Sequence, residues 1–232
     1  MSTRVGVVVF PGSNCEHDVA EVVEDLGGKA ELVWHKMTAL PAVDAVVLPG
    51  GFAHGDALRP GAIARFSPIM GAVRAFAGDG GPVVGICNGF QVLTEAGMLP
   101  GALQKNAGLR FLCTTVELRV ESVDSVLTSG ATVGQILRVP INHFEGNYTC
   151  TPETQRELER EHRVILRYVE NPNGSVGSIA GIRNAGGNVV GLMPHPERAA
   201  SGLLGSEDGA VLLGSLLGAA TRRRRPAGSR PA

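Results

Sequence analysis

Pro82-Val83-Val84-Gly85-Ile86-Cys87-Asn88-Gly89-Phe90-Gln91-Val92-Leu93 contains the change of period on which the fold turns. A short apolar run ends at Ile86, and from Phe90 the apolar residues recur at helical spacing. Cys87 therefore stands on the hinge between a buried strand and a helix. A turn this sharp drives its central residue toward unfavourable φ/ψ, and Gly85 and Gly89 relieve the crowding on either side. The resulting Gly-x-Cys-x-Gly is the thiol counterpart of the Gly-x-Ser-x-Gly nucleophile turn. The first N–H groups of the helix face the sulfur and favour thiolate over thiol. Cysteine is also among the most buried residue types, so the flanking pattern, not the residue alone, carries the nucleophile reading.

Upstream of this hinge, Arg4 to Phe10 reads as a buried strand with no internal charge. Pro11-Gly12 turns the chain, Ser13-x-x-Glu16 has the form of a capping box, and Val19, Val22, Val23 and Leu26 share one helical face. Gly27-Gly28 stops that helix, and Lys29–Trp34 and Ala45–Leu48 follow as strands. Strand–helix–strand order with β-branched runs predicts an α/β fold. It is doubly wound, with a mostly parallel central sheet and helices on both faces. Ligands of such sheets bind beyond the carboxyl ends of the strands, where Pro49-Gly50-Gly51-Phe52 and the Cys87 hinge both lie. The spacing of Gly50, Gly51 and Gly55 fits neither the dinucleotide fingerprint nor a phosphate-binding loop. Adjacent glycines let a backbone N–H approach a ligand closely, and that N–H with the one on Asn88 is a candidate oxyanion hole.

Downstream, Ser67-Pro68 opens a helix through Phe76. Leu109–Val120 and Ile136–Ile141 read as strands of an additional small antiparallel region. Asn142-His143-Phe144-Glu145-Gly146-Asn147-Tyr148 is dense in polar groups, Thr151-Pro152-Glu153 opens a charged surface helix, and strands are expected at Val164–Val169, Ile179–Arg183 and Val189–Met193. Val211–Leu217 is an apolar closing helix. Pro194-His195-Pro196-Glu197 follows the last strand, and each proline holds its predecessor extended. Residues i and i+2 of an extended segment face one way, which places His195 beside Glu197. A carboxylate so placed fixes the imidazole tautomer and steadies the imidazolium, so Cys87, His195 and Glu197 read as nucleophile, base and orienter of an acyl-transfer site.

At 232 residues and 44% apolar, the chain suits one sizeable domain, 1–220, followed by a basic tail, 221–232, expected to be disordered. The tail holds five of the 21 basic residues and no acid, leaving 16 basic against 22 acidic residues in the body. No basic stripe with interleaved aromatics is present, which speaks against nucleic-acid binding. The four cysteines lie far apart with no Cys-x-x-Cys pair, so neither a zinc site nor a disulfide framework is expected. The apolar run Val5–Phe10 is too short for a signal core or a membrane span, and a soluble cytoplasmic protein is expected.

Gly85-Ile-Cys-Asn-Gly-Phe-Gln91 with Met193-Pro-His-Pro-Glu-Arg198 resembles the class I, triad-type glutamine amidotransferases. Pro49-Gly-Gly-Phe52, Gly55-Asp56, Gly61-Ala-Ile-Ala64, Glu145-Gly-Asn-Tyr148, Asn171-Pro-Asn-Gly-Ser175 and Ile179-Ala-Gly-Ile182 narrow the resemblance to the glutaminase subunits of purine biosynthesis. The resemblance spans about residues 4–217. It implies that Cys87 attacks the side-chain amide of L-glutamine, giving a γ-glutamyl thioester and ammonia, with His195 as base and Glu197 as orienter. It implies oxyanion N–H groups on Gly51 and Asn88, and substrate contacts from Gly50, Gln91, Asn142, His143 and Phe144. Ammonia would pass to a large ATP- and magnesium-using synthase subunit that aminates formylglycinamide ribonucleotide, with a small bridging subunit between them. This chain itself would carry no cofactor and no metal.

Asn142-His143-Phe144 departs from the family's usual Ala-His-Gly, and Ala53-His54 from its Ser-Tyr. A glutaminase serving a different synthase, or a DJ-1-like cysteine hydrolase, stays open as an alternative. The latter usually has His directly after the Cys, where this chain has Asn88.

Overall fold

Short valine-rich runs without charge form the middle of a nine-stranded sheet in the computed structural model, which describes residues 2–224. The first half of the chain alternates strand and helix: β1 (Arg4–Val9), α1 (Glu16–Asp25), β2 (Lys29–Trp34), β3 (Ala45–Leu48), α2 (Ile69–Gly78), β4 (Val83–Ile86) and α3 (Asn88–Glu95). The second half is richer in strands: β5 (Ala102–Gln104), β6 (Leu112–Val120), β7 (Ile136–His143), β8 (Asn147–Thr149), α4 (Pro152–Arg160), β9 (Val164–Tyr168), β10 (Ile179–Arg183), β11 (Val189–Leu192) and α5 (Asp208–Arg224).

The sheet order is β2-β1-β3-β4-β11-β10-β9-β6-β7, and its first five strands are parallel neighbours. Every residue of β3, β4 and β11 is buried, as a sheet covered on both faces requires. From β1 the chain crosses by α1 to β2 on one side, and from β3 by α2 to β4 on the other. Right-handed crossovers in opposite directions put α1 and α2 on opposite faces and open a crevice between β1 and β3. The α/β, mostly parallel reading therefore holds.

Three local readings change. The long antiparallel strands β6 and β7 do not form a separate region. They extend the same sheet through β10 and β9, and the small separate sheet is β5 with β8. Strand β6 begins at Leu112 because Leu109 is drawn into a turn, its N–H on the Asn106 carbonyl. The capping box does not form: α1 starts after Cys15, and the Ser13 hydroxyl accepts from Phe10 N–H in the preceding turn.

The basic tail expected from residue 221 begins inside α5. Thr221 bonds Thr3 between hydroxyls at 2.6 Å, Arg222 donates to the Ser129 hydroxyl, and Arg223 donates to the Asp79 carbonyl and covers the Phe76 ring. The rest of that tail, residues 225–232, lies outside the described residues. Among the described residues no helix is long and apolar enough to cross a membrane.

Candidate active site

Strands β4 and β11 run parallel in register, Ile86 beside Leu192, so their carboxyl ends emerge side by side. Cys87 follows the first and His195 the second. The Cys87 N–H donates to the Leu192 carbonyl at 2.8 Å, which ties the hinge to the strand that delivers the histidine. Cys87 adopts φ 51° and ψ −106°, a conformation L-residues resist, and its carbonyl is held by the N–H groups of Phe90 and Gln91. Its thiol is buried at the N-terminus of α3, where the helix dipole favours negative charge.

His195 and Glu197 are each 2% exposed, and Nδ1 of the ring lies 2.6 Å from a Glu197 carboxylate oxygen. The pairing is as expected, but its geometry is not wholly extended. His195, at φ −104° and ψ 87°, falls short of extended backbone, and Pro196–Arg198 forms a 3-10 turn that carries Glu197 back to the ring. Burial opposes a charge on His195. Glu197 and Cys87 outweigh it and hold the imidazole pKa well above its usual value. The opposite ring nitrogen, Nε2, has no hydrogen-bond partner among the described residues. A base so arranged keeps one nitrogen anchored and the other available for a proton.

The loop after β3 closes over this pair. Gly50 packs so near the imidazole that a Cβ there would meet its Cε1 at 2.6 Å. Gly51, at φ 145°, sits in a short bridge to Ser13 whose hydrogen bonds run from Asn14 N–H to Gly50 and from Phe52 N–H to Gly12. The Gly51 N–H takes no part in either bond. Asn88 occupies the first turn of α3, where backbone N–H groups lack intrahelical partners. Its side chain adds a tether that no motif revealed. Oδ1 accepts from Ala53 N–H at 2.9 Å, and Nδ2 donates to Asp56 at 3.1 Å and to Gln91 at 2.8 Å. Gln91 in turn donates to the Glu145 carbonyl at 2.6 Å.

One cavity unites Gly51, Cys87, Gln91, Asn142, His143, Phe144 and His195 from the expected set. Gly50, Asn88 and Glu197 do not line it, but each meets a residue that does: Gly50 the His195 ring, Asn88 the side chains of Asp56 and Gln91, and Glu197 the His195 Nδ1. His143 is 3% exposed; Asn106 donates its amide N–H to the carbonyls of Arg110 and His143, so its Oδ1 is an acceptor and His143 Nδ1 donates to it at 3.1 Å. Burial and the neighbouring His195 lower the His143 pKa to about 4, so this ring is neutral. It offers a lone pair rather than a second base.

Cys15, Arg198, Asp56 and Glu145 also line the cavity, and none of them was among the expected site residues. Cys15 Sγ lies 3.9 Å from His195 Nδ1 and accepts from Arg198 at 3.2 Å, while Arg198 also bonds Asp18. Its position after β1, at the point where the crossovers diverge, was the available signal. Ligand atoms of Cys15, His195 and Glu197 fall within 4.8 Å of one another, a metal-like spacing. The Nδ1 proton shared with Glu197 fills that lone-pair position, so the trio serves hydrogen bonding.

The family described as the CobB/CobQ-like glutamine amidotransferase domain matches residues 2–207. A phosphoribosylformylglycinamidine synthase subunit PurQ from Rubrobacter xylanophilus is 57% identical over 94% of this chain and 99% of its own. One from Koribacter versatilis is 50% identical over 95% of this chain and 100% of its own. Among solved structures, a chain of PurLQS from Thermotoga maritima superposes with a TM-score of 0.87 at 42% identity, covering 94% of this chain and 99% of that one. A Thermoplasma acidophilum protein assigned to GMP synthase shares the fold at a TM-score of 0.67 and 17% identity, covering 97% of this chain and 96% of its own.

Proposed function

The chain belongs to the CobB/CobQ-like glutamine amidotransferase family, and from that premise we propose how its residues divide the chemistry. It is the glutaminase subunit of phosphoribosylformylglycinamidine synthase and works in a complex with other synthase subunits. In the proposed mechanism the Cys87 thiolate attacks the side-chain carbonyl carbon of L-glutamine. The oxyanion that forms is met by the N–H groups of Gly51 and Asn88. His195, charged and anchored by Glu197, passes its proton to the leaving nitrogen, and ammonia departs from a γ-glutamyl thioester. Water then attacks the thioester, His195 takes its proton, and glutamate leaves as the thiolate is restored.

The observation that carries this assignment is the buried 2.6 Å His195–Glu197 contact sharing a cavity with a thiol on a strained hinge. In the same proposal this chain needs no cofactor and no metal. ATP and magnesium act on a large partner protein, with a small third protein bridging the two.

The test measures glutamate release from L-glutamine by the chain alone and with its synthase partners, nucleotide and acceptor, alongside Cys87→Ala. Glutamine-dependent amination that persists with Cys87→Ala would refute the nucleophile. Glutamate release by neither preparation would refute the glutaminase reading itself.

A further inference from the structure

Two carboxylates, Asp56 and Glu145, line the cavity that holds Cys87 and His195. Apart from His195, its one lining cation among the described residues, Arg198, is paired with Asp18, and Lys105 lies near Glu145 over the Phe144 ring. Among the described residues the Asp56 carboxylate has one hydrogen-bond partner, the Asn88 amide, and no ion pair. Burial first, and then the neighbouring Glu145, push its pKa up to about 6 against the Asn88 hydrogen bond, and burial raises Glu145 as well, against the pull of Lys105. His143, which lines the same cavity near His195, is 3% exposed, and its Nε2 has no partner among the described residues. A pocket with two carboxylates and an unanswered lone pair is matched by a ligand carrying several N–H donors and a positive charge.

The loop that carries Asp56 runs through left-handed backbone, with His54, Asp56 and Leu58 at φ between 51° and 70°. Asn88, the residue next to the nucleophile, tethers it, reaching Ala53 N–H and Asp56 from one side chain. Asp56 is thus placed one side chain's reach from the thiol's own neighbour. In glutamine the α-ammonium lies four bonds from the amide carbon, about 5 Å when extended.

We propose that Asp56, supported by Glu145 across the cavity, binds the α-ammonium of the substrate and makes this site selective for the free amino acid over amides lacking that group. This rests on Cys87 receiving the glutamine amide. Asn88 then has two tasks, its backbone facing the oxyanion and its side chain aligning the ammonium contact with it. Asp56 is a specificity-determining residue, with no proton to move.

The test compares L-glutamine with 4-carbamoylbutanoate, the same molecule without its α-amino group, in the assembled complex. The variants are Asp56→Asn and Glu145→Gln; Asn tolerates the positive φ, so the loop backbone is retained. Wild type should prefer glutamine in kcat/KM by about 10- to 100-fold, the range lost with one charge-assisted contact. Asp56→Asn should raise KM for glutamine by a similar factor with kcat little changed, and leave KM for the des-amino substrate where it was. Glu145→Gln should act in the same direction but less.

Equal loss on both substrates would show that Asp56 only holds the loop and would overturn the proposal. So would a wild-type enzyme that hydrolyses both substrates equally well. Failure to hydrolyse either substrate would strike the glutaminase reading instead, which separates the two ideas.

Discussion

Replacing Gly89 by alanine tests whether the hinge geometry, rather than the thiol alone, makes the site. Gly89 is the second residue of α3 and faces the end of β3, where an added Cβ would lie 2.0 Å from the Leu48 carbonyl oxygen and 2.7 Å from its carbon. Side-chain Cβ atoms do not approach closer than 3.0 Å, so helix and strand must part by about 1 Å. The strand cannot yield, because Leu48 is paired with Gly85 inside a fully buried part of the sheet. The helix must retreat, taking the Asn88 N–H and the Cys87 sulfur with it. Overpacking of this kind costs about 1–3 kcal/mol. For a chain of this size that is a fall in Tm of roughly 2–12 °C. A displacement of about 1 Å at reacting groups lowers kcat/KM by about 10²-fold.

Gly71→Ala is the matched control. It lies in α2 with ordinary φ and nothing within 4 Å of its added Cβ, so it should gain up to about 1 kcal/mol from helix propensity and leave turnover alone. Calorimetry and glutamine kinetics of the complex would be measured for both. A Gly89→Ala protein with wild-type Tm and kcat/KM would refute the reasoning, since the contact would then not constrain the helix.

Cys87→Ala should fold normally and lose glutamine hydrolysis, and a glutamine-mimicking electrophile should label Cys87 alone; peptide mapping that finds Cys15 labelled at a comparable rate would point to the wrong sulfur. Glu197→Gln keeps a partner for His195 but no longer favours its charge, so kcat/KM should fall by about 10- to 10³-fold, less than for His195→Ala. His143 has a folded pKa near 4, below its unfolded value of 6.5, so the unfolded chain binds the extra proton and stability falls as pH drops from 6.5 to 4. The loss is about 3 kcal/mol, and urea unfolding of His143→Gln should show a flatter dependence across that window. Truncation after Ala220 should lower Tm slightly, by about 1 kcal/mol of stability, because it removes the Thr3–Thr221 hydrogen bond and the Arg223 contacts; an unchanged melting curve would show these contacts to be idle.

The parts legible in the sequence are those whose physics is local. A change of period across Ile86 and Phe90, with glycines at 85 and 89, specifies a strand-to-helix hinge wherever it occurs, and Cys87 does adopt the strained φ that the crowding implied. His195 and Glu197 are two residues apart, so their contact survived even though the segment curls into a 3-10 turn instead of remaining extended. Charge-free valine runs announced the buried parallel strands for the same reason. What sequence could not decide is set by neighbours far along the chain. β6 and β7 join the main sheet because β6 pairs with β9, a choice made by strand order and not by any residue of β6. Cys15 reaches His195 across 180 positions, and Asp56 and Asn88 meet across 32. Period and turn chemistry determine where a strand ends. Only the packed sheet brings several strand ends to one cavity, and so only the tertiary structure selects which polar residues there meet the substrate.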